Sequence, residues 1–214
     1  VVGSCTDVHE MYSKIVSGDL KNSFAIVDRD YNFIFSTPIN DYRLIHTCGY
    51  SWESDFWSYN LLEYLVKSFT DNSQPACSEL TKKYNCGTRR LSFLHQSNLS
   101  TKFFGEKIFT LGVKGGVDGV TLDLDSDHLV NKREMKRILS TAKASININE
   151  IRTIFKTLSS SPEKLIQGHY FEYSMLRLIN KVIKKHSAGG TTAPENTLKN
   201  NAFFHFAEGS AKFI

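Results

Sequence analysis

The chain has 214 residues, 41% hydrophobic and 12% aromatic, enough apolar material for one substantial core and too much for an intrinsically disordered chain. Lys and Arg number 26 against 22 Asp and Glu, a formal charge of +4 that is compatible with a polyanionic partner but too small to identify one. No apolar run approaches the roughly 20 residues that a membrane-spanning helix needs, and Cys5, Cys48, Cys77 and Cys86 form no CxxC pair. No membrane association and free thiols in a reducing cytoplasm are therefore expected.

In chain order, Val1 opens an apolar strand-like segment without an initiator Met, so further residues upstream are expected. Asp7 and Glu10 have the spacing of a capping box, and Met11, Ile15 and Val16 give the helix that follows an apolar face. Gly18-Asp19 ends it. Phe24 to Val27 is an apolar run of strand length, so strand, helix and strand follow one another as in a parallel βαβ unit. Arg43 to Thr47 reads as the next strand and Trp52 to Phe69 as one long helix with Phe56, Leu61, Leu62, Leu65 and Val66 inward. The polar stretch from Asp71 to Arg90, with Pro75 and Gly87, reads as a loop within an insertion around 71–106. Lys107 to Val113 and Val120 to Leu124 read as further strands, with Gly115-Gly116 as a turn. Beyond Asn131 the pattern is helical: one stripe on Met135, Ile138 and Leu139, another on Ile151, Ile154, Phe155 and Leu158, then a stretch from Pro162 through Gly168-His169 to Lys185. Ser187 to Asn201 reads as a linker, and the tail Ala202-Phe203-Phe204-His205-Phe206 is apolar enough to dock on the body or on a partner. The expected architecture is an α/β core over 1–130, a parallel sheet flanked by helices, with a helical region over 131–214 packed on it.

Candidate chemistry concentrates where strands end. In Phe24-Ala25-Ile26-Val27-Asp28-Arg29-Asp30, two carboxylates two residues apart leave a strand at the edge where α/β proteins place ligands. Such a pair can converge on a hard cation, and magnesium prefers oxygen ligands completed by water and phosphate. An acidic turn capping the next segment is the plainer alternative. Glu53, in Tyr50-Ser51-Trp52-Glu53, occupies the corresponding position after the neighbouring strand, at a helix start where Ser51 offers a cap. Three carboxylates gathered there repel one another without a cation, which favours a metal site on Asp28, Asp30 and Glu53.

These residues, in this order, carry a resemblance. Thr6-Asp7 before a helix, Ile26-Val27-Asp28-Arg29-Asp30 at a strand end, Tyr50-Ser51-Trp52-Glu53 at a helix start and Gly168-His169 opening a late helix resemble the Toprim-like family of anti-phage effector nucleases, which includes the effector subunit of PARIS-type systems. The resemblance covers about the first 70 residues, and the region around Gly168 more loosely. It implies a Toprim-like sheet and a magnesium-dependent phosphodiesterase, with manganese as an alternative ion. It further implies catalytic and metal-binding roles for Asp28, Asp30 and Glu53. Arg29 reads as a phosphate contact or as a balance for the acids beside it, and His169 reads equally as a phosphate contact or proton relay and as a helix-start histidine bonded to a carbonyl. As partners the resemblance implies nucleic acid, tRNA before DNA, an ABC-type ATPase sensor that holds the effector until infection, and a homodimer. One departure is clear: the Glu-Gly pair that ends the first strand in Toprim sites has no counterpart, since Val2 or Gly3 stands where the Glu belongs. A non-catalytic interaction module on the same fold is therefore the competing expectation. A primase- or topoisomerase-type enzyme is disfavoured, because no other module of those enzymes is visible.

Asp123, Asp125, Asp127, Asn131 and Glu134 have the spacing of a calcium loop, but His128 stands where its sharp turn needs glycine, so a strand end followed by a capped helix is expected instead. His46, His95 and His128 read as structural. Basic residues at Lys82-Lys83, Arg89-Arg90, Lys132 to Arg137 and Lys181 to Lys185 read as solvated helix faces or as a phosphate-binding surface.

Overall fold

A computed structural model describes residues 5–30, 39–103, 111–112, 116–117, 122–131, 133, 135–136, 140 and 162–210. It is a mixed α/β chain, mostly helical. The ordered elements are α1 (Cys5–Ser17), β1 (Ala25–Val27), β2 (Leu44–His46), α2 (Trp52–Phe56), α3 (Tyr59–Phe69), α4 (Gln74–Phe103), β3 (Leu111–Gly112), β4 (Gly116–Val117), a 3-10 turn at Pro162–Leu165, α5 (Gly168–His186) and α6 (Glu195–Ser210). The expected first strand, Val1 to Ser4, and the helical stripe at 151–158 lie outside the described residues.

β1 and β2 pair in parallel, with Ala25, Ile26 and Val27 opposite Leu44, Ile45 and His46. Their inward side chains, Ala25, Val27 and Leu44, pack with Ile15 of α1 as a small core of their own. Tyr12 of α1 donates to Asp41 at 2.8 Å, and Arg43 grips the same carboxylate through Nε and Nη2 at 3.0 and 2.7 Å. That grip holds the Asp41 carboxyl below its ordinary range and fixes the entry to β2. Among the described residues this parallel sheet has two strands.

The larger core is helical. Leu61, Leu62, Leu65 and Val66 of α3, Ala76, Leu80, Leu91 and Leu94 of α4, and Phe171, Met175, Leu178, Ile179 and Val182 of α5 form one cluster, completed by Leu198 and Ala202 of α6. The long helix expected over Trp52 to Phe69 is two, because the chain turns at Trp57-Ser58 and the Ser58 hydroxyl accepts from Leu61 N to start α3 afresh. The loop expected over Asp71 to Arg90 is helix from Gln74 onward. Pro75 sits in the first turn of α4, where a missing N–H costs nothing. Gly87 is no breaker either: a Cβ there would collide with the buried Leu129 side chain, so the residue serves a helix-to-loop contact. The linker expected over Ser187 to Asn201 turns helical at Glu195, and the apolar tail is its continuation. Phe203 lies 4.8 Å and Phe206 5.3 Å from the Phe56 ring, while His205 stacks on Tyr64 at 3.6 Å. The tail thus docks on the body. Of the strands expected beyond Lys107, Leu111–Gly112 pairs antiparallel with Gly116–Val117, and Leu122 makes a single bridge to Val130. No helix among the described residues is long and apolar enough to cross a membrane.

His95, in the middle of α4's buried face, is enclosed completely; its Nδ1 bonds to the Leu91 carbonyl at 2.8 Å and its Nε2 has no partner among the described residues. Burial pushes the imidazole down to about 4. Between its ordinary value near 6.5 and about 4, the unfolded chain takes up a proton that the folded chain refuses. Stability from this residue is therefore complete above pH 6.5 and falls as the pH drops through that window, by about 3 kcal/mol in all. Urea unfolding at pH 7 and pH 4.5 should show the loss in the wild type and a much smaller one in His95→Leu. Equal losses in both would refute the assignment.

Candidate functional site

The two parallel strands deliver two chain exits side by side. Beyond β1 and β2 the exits stay paired: Thr47 N donates to Val27 O at 3.2 Å, Arg29 N to Thr47 Oγ1 at 2.9 Å, and Asp30 N to Tyr50 O at 2.7 Å. Asp30 takes φ 47°, in the left-handed region that Asp tolerates better than most residues. Tyr50 in turn donates its backbone N–H to Lys164 O at 2.9 Å, bringing in the segment before α5.

Asp28 reaches across to α2 and accepts from Trp52 N at 3.0 Å. It does the capping expected of Ser51, whose side chain makes no cap bond. The Ser51 hydroxyl instead donates to Glu53 Oε2 at 2.5 Å. Glu53 is 2% exposed, and its other oxygen, Oε1, lies 2.9 Å from His169 Nδ1 on the first turn of α5. A buried carboxylate without partners would be costly. Here the hydroxyl, the imidazole and the positive end of α5 all compensate it. The approach is so close that a Cβ on Gly168 would overlap both Ser51 Oγ and Glu53 Oε2. Ser54 Oγ donates to Ile166 O at 3.0 Å and closes the seam between α2 and the 162–168 segment.

Asp28, Glu53 and His169 thus form one group, with Asp30 beside Asp28. Burial, followed by the charges of Glu53 and Asp30, raises the Asp28 carboxyl above its ordinary value, against the opposing pull of the Trp52 amide and His169. Tyr50 is raised as well, by burial and then by the charge of Asp30 and the hydrogen bond to it. Both shifts come first from burial, and the neighbouring carboxylates add to it. Arg29 directs Nη1 to Cys48 O at 3.3 Å, at the rim of the same edge.

Glu172 belongs to this group and was not anticipated. Ligand atoms of Glu53, His169 and Glu172 lie within 4.8 Å of one another, a spacing that one metal ion could bridge. Glu172 also pairs with Lys199 of α6 at 3.0 Å. The signal was present as the i, i+3 interval between His169 and Glu172, which puts both on one helical face. Asp7 lies within the first turn of α1, which is already helical at Cys5, so it is not the cap expected there. Val2 and Gly3, where the family's Glu would stand, lie outside the described residues.

The calcium-like loop is occupied by lysines. Lys82 pairs with Asp127 at 2.7 Å and Lys181 with Asp125 at 2.8 Å. The buried Lys83 ammonium donates to Leu124 O at 2.6 Å and to Ser126 O at 3.4 Å. Of the three histidines read as structural, His46 and His128 each keep one buried ring nitrogen without a partner among the described residues, as His95 does.

No family profile, characterised protein or solved structure matches this chain. The site stands on its geometry.

Gly168→Ala is expected to lower stability by at least about 2 kcal/mol, because the added methyl must displace Ser51 or Glu53 from a closed seam. Thermal unfolding would measure it, and a wild-type melting temperature would contradict the packing described. Millimolar calcium is expected to move the melting temperature by less than about 1 °C, since lysine ammoniums already neutralise the 123–127 loop. A clear upward shift abolished by Asp125→Asn would reverse that conclusion.

Proposed function

We propose that this protein is a Toprim-like, metal-dependent phosphodiesterase acting on nucleic acid, with RNA of the tRNA type as the favoured substrate. The observation that carries the reading is that Asp28 and Asp30 leave β1 beside the exit of β2 that leads to Glu53, with the Asp28 carboxyl raised first by burial and then by the charges of Glu53 and Asp30. Glu53, with His169 and Glu172, would form the centre of the ion site, since their ligand atoms lie within 4.8 Å of one another, and Asp28 and Asp30 would complete it from the strand exit. A donor set dominated by carboxylate oxygens suits magnesium, or manganese. Bound there, the ion would neutralise a phosphate and make a water more acidic.

The chain's own residues supply the remainder. Glu53 fixes the His169 ring through Nδ1, and that ring is 65% exposed, so Nε2 is the nitrogen left to exchange a proton with a substrate. Ser51 holds Glu53 from the other side, so carboxylate and imidazole stay oriented together. Arg29 stands at the rim, where a guanidinium can meet a phosphate oxygen. An ATPase partner that restrains the protein until infection, and pairing of two copies, follow from the family resemblance and complete the proposal as an anti-phage effector.

A second reading has a specific observation in its favour. Both oxygens of Glu53 are satisfied by Ser51 and His169, and Asp28 is engaged by the Trp52 amide, so the seam is complete as a structural device. Together with Val2 or Gly3 in place of the family's Glu, this describes an interaction module that keeps the fold without the chemistry.

Cleavage of tRNA and of single-stranded DNA, with magnesium or with EDTA, separates the two. The first reading expects magnesium-dependent cleavage that falls by about 100-fold or more in Asp28→Asn, Asp30→Asn. Equal cleavage by both proteins would remove these residues from the chemistry. A folded wild type that cleaves neither substrate would favour the interaction module.

A further inference from the structure

The far half of α5 carries a separate, half-open cavity of about 420 Å³, lined by α5, Leu124 and the connection that leads into α6. Its lining joins three kinds of group. Arg177, Lys181 and Lys184 recur on one face of α5 and point their charge at it. Tyr173, Leu176 and Ala193 supply an apolar wall with one aromatic ring, over which the Arg177 guanidinium already sits at 5.3 Å. Asn180 adds a buried side-chain oxygen, Oδ1, that has no hydrogen-bond partner among the described residues.

The charges do not cancel. Lys181 is neutralised by Asp125. The one acid of the lining, Glu195, is held by Lys199 at 3.2 Å. Among the described residues, Arg177 and Lys184 have no carboxylate within salt-bridge distance. Two uncompensated cations beside a cavity call for an anion, and a guanidinium next to an ammonium suits a phosphate ester. A buried amide oxygen left unpaired costs stability and calls for an N–H or O–H donor. An aromatic wall calls for a flat or apolar body. One chemical class presents all three features at this size: a nucleoside phosphate, with its dianion, its planar base, and donors on base and ribose.

We propose that this cavity binds the phosphate ester of a nucleoside, its phosphate on Arg177 and Lys184, its base against Tyr173 and Leu176, and one of its donors on Asn180 Oδ1. The ligand is either a free mononucleotide or the terminal nucleotide of a strand; the chemistry is shared. The site uses none of Asp28, Asp30, Glu53, His169 or Glu172, so it stands whether or not the acidic site cleaves anything.

Calorimetric titration of the full chain with AMP, GMP, inorganic phosphate and a 5′-phosphorylated single-stranded tetranucleotide tests it. Saturation is expected with a mononucleotide or with the tetranucleotide, and whichever is tighter identifies the source. Inorganic phosphate should bind at least about tenfold more weakly, because it reaches the cations alone. Arg177→Ala and Lys184→Ala, at exposed positions that fold without these side chains, should each weaken nucleotide binding about tenfold or more. Asn180→Leu should weaken the nucleotide while leaving phosphate unchanged, and Asp28→Asn, Asp30→Asn should bind as the wild type does. Absence of saturation by any nucleotide, nucleotide and phosphate binding alike, or affinity indifferent to Arg177→Ala would overturn the proposal.

Discussion

Everything at the acidic edge depends on one buried charge. Glu53 is enclosed, and an enclosed carboxylate persists only where donors and positive potential replace the water it lost. Ser51 comes from its own turn, but His169 and the amino end of α5 come from more than a hundred residues away. The charge is therefore satisfied only when the two halves of the chain have met. The neighbouring bonds from Tyr50 to Lys164 and from Ser54 to Ile166 lie along the same seam, so assembling the site and closing the fold are one event. Gly168 is the geometric condition for it. A residue with any side chain at that position would hold α5 away from α2 and leave Glu53 without its imidazole.

The helical body explains why so small a sheet can place residues so closely. Two three-residue strands bury little by themselves, and a pair of that length is marginal in isolation. Their exits are held instead by what surrounds them: α1 under the strands, α2 leaving from the second exit, and α5 pressed against α2 by the large core it shares with α3 and α4. The 123–127 loop is another product of the same body. Its acids have the spacing of a calcium site, yet Lys82 and Lys83 of α4 and Lys181 of α5 reach it first. An ammonium buried on two carbonyl oxygens does there what a metal would do elsewhere, and it comes with the helix.

What could be read from the sequence, and what could not, follows from how local each signal is. An apolar triplet ended by two acids announces a strand and its exit within seven residues, so the placing of Asp28 and Asp30 at the end of β1 was legible before any contact was known. Helix α4 was not, although Ala76, Leu80, Leu91 and Leu94 are on its buried face. Polar residues fill the intervals, and Pro75 and Gly87 look like punctuation until the first is seen in the opening turn and the second against Leu129. Glu172 was missed because an acid in a helix is ordinary; only the position of Glu53, set by tertiary structure, makes it a neighbour of the site. The capping role passed from Ser51 to Asp28 for a similar reason. The Ser51 hydroxyl is turned to donate to the buried carboxylate two residues on, a charge-assisted bond, and in that orientation its oxygen accepts from no backbone amide of α2, while Trp52 N is met by Asp28.

Helix α5 carries two kinds of chemistry along one rod, and α6 touches both. His169 and Glu172 face the acidic seam near its amino end, while Arg177, Asn180 and Lys184 face the cavity further along. Lys199 of α6 stands between them, paired at once with Glu172 and with Glu195 of the cavity wall. An ammonium has three N–H donors, so Lys199 can serve both carboxylates at once. One side chain of α6 therefore ties that helix to α5 beside the acidic seam and, within α6, to the residue that borders the cavity, so the same packing that seats α6 also neutralises an acid at each place.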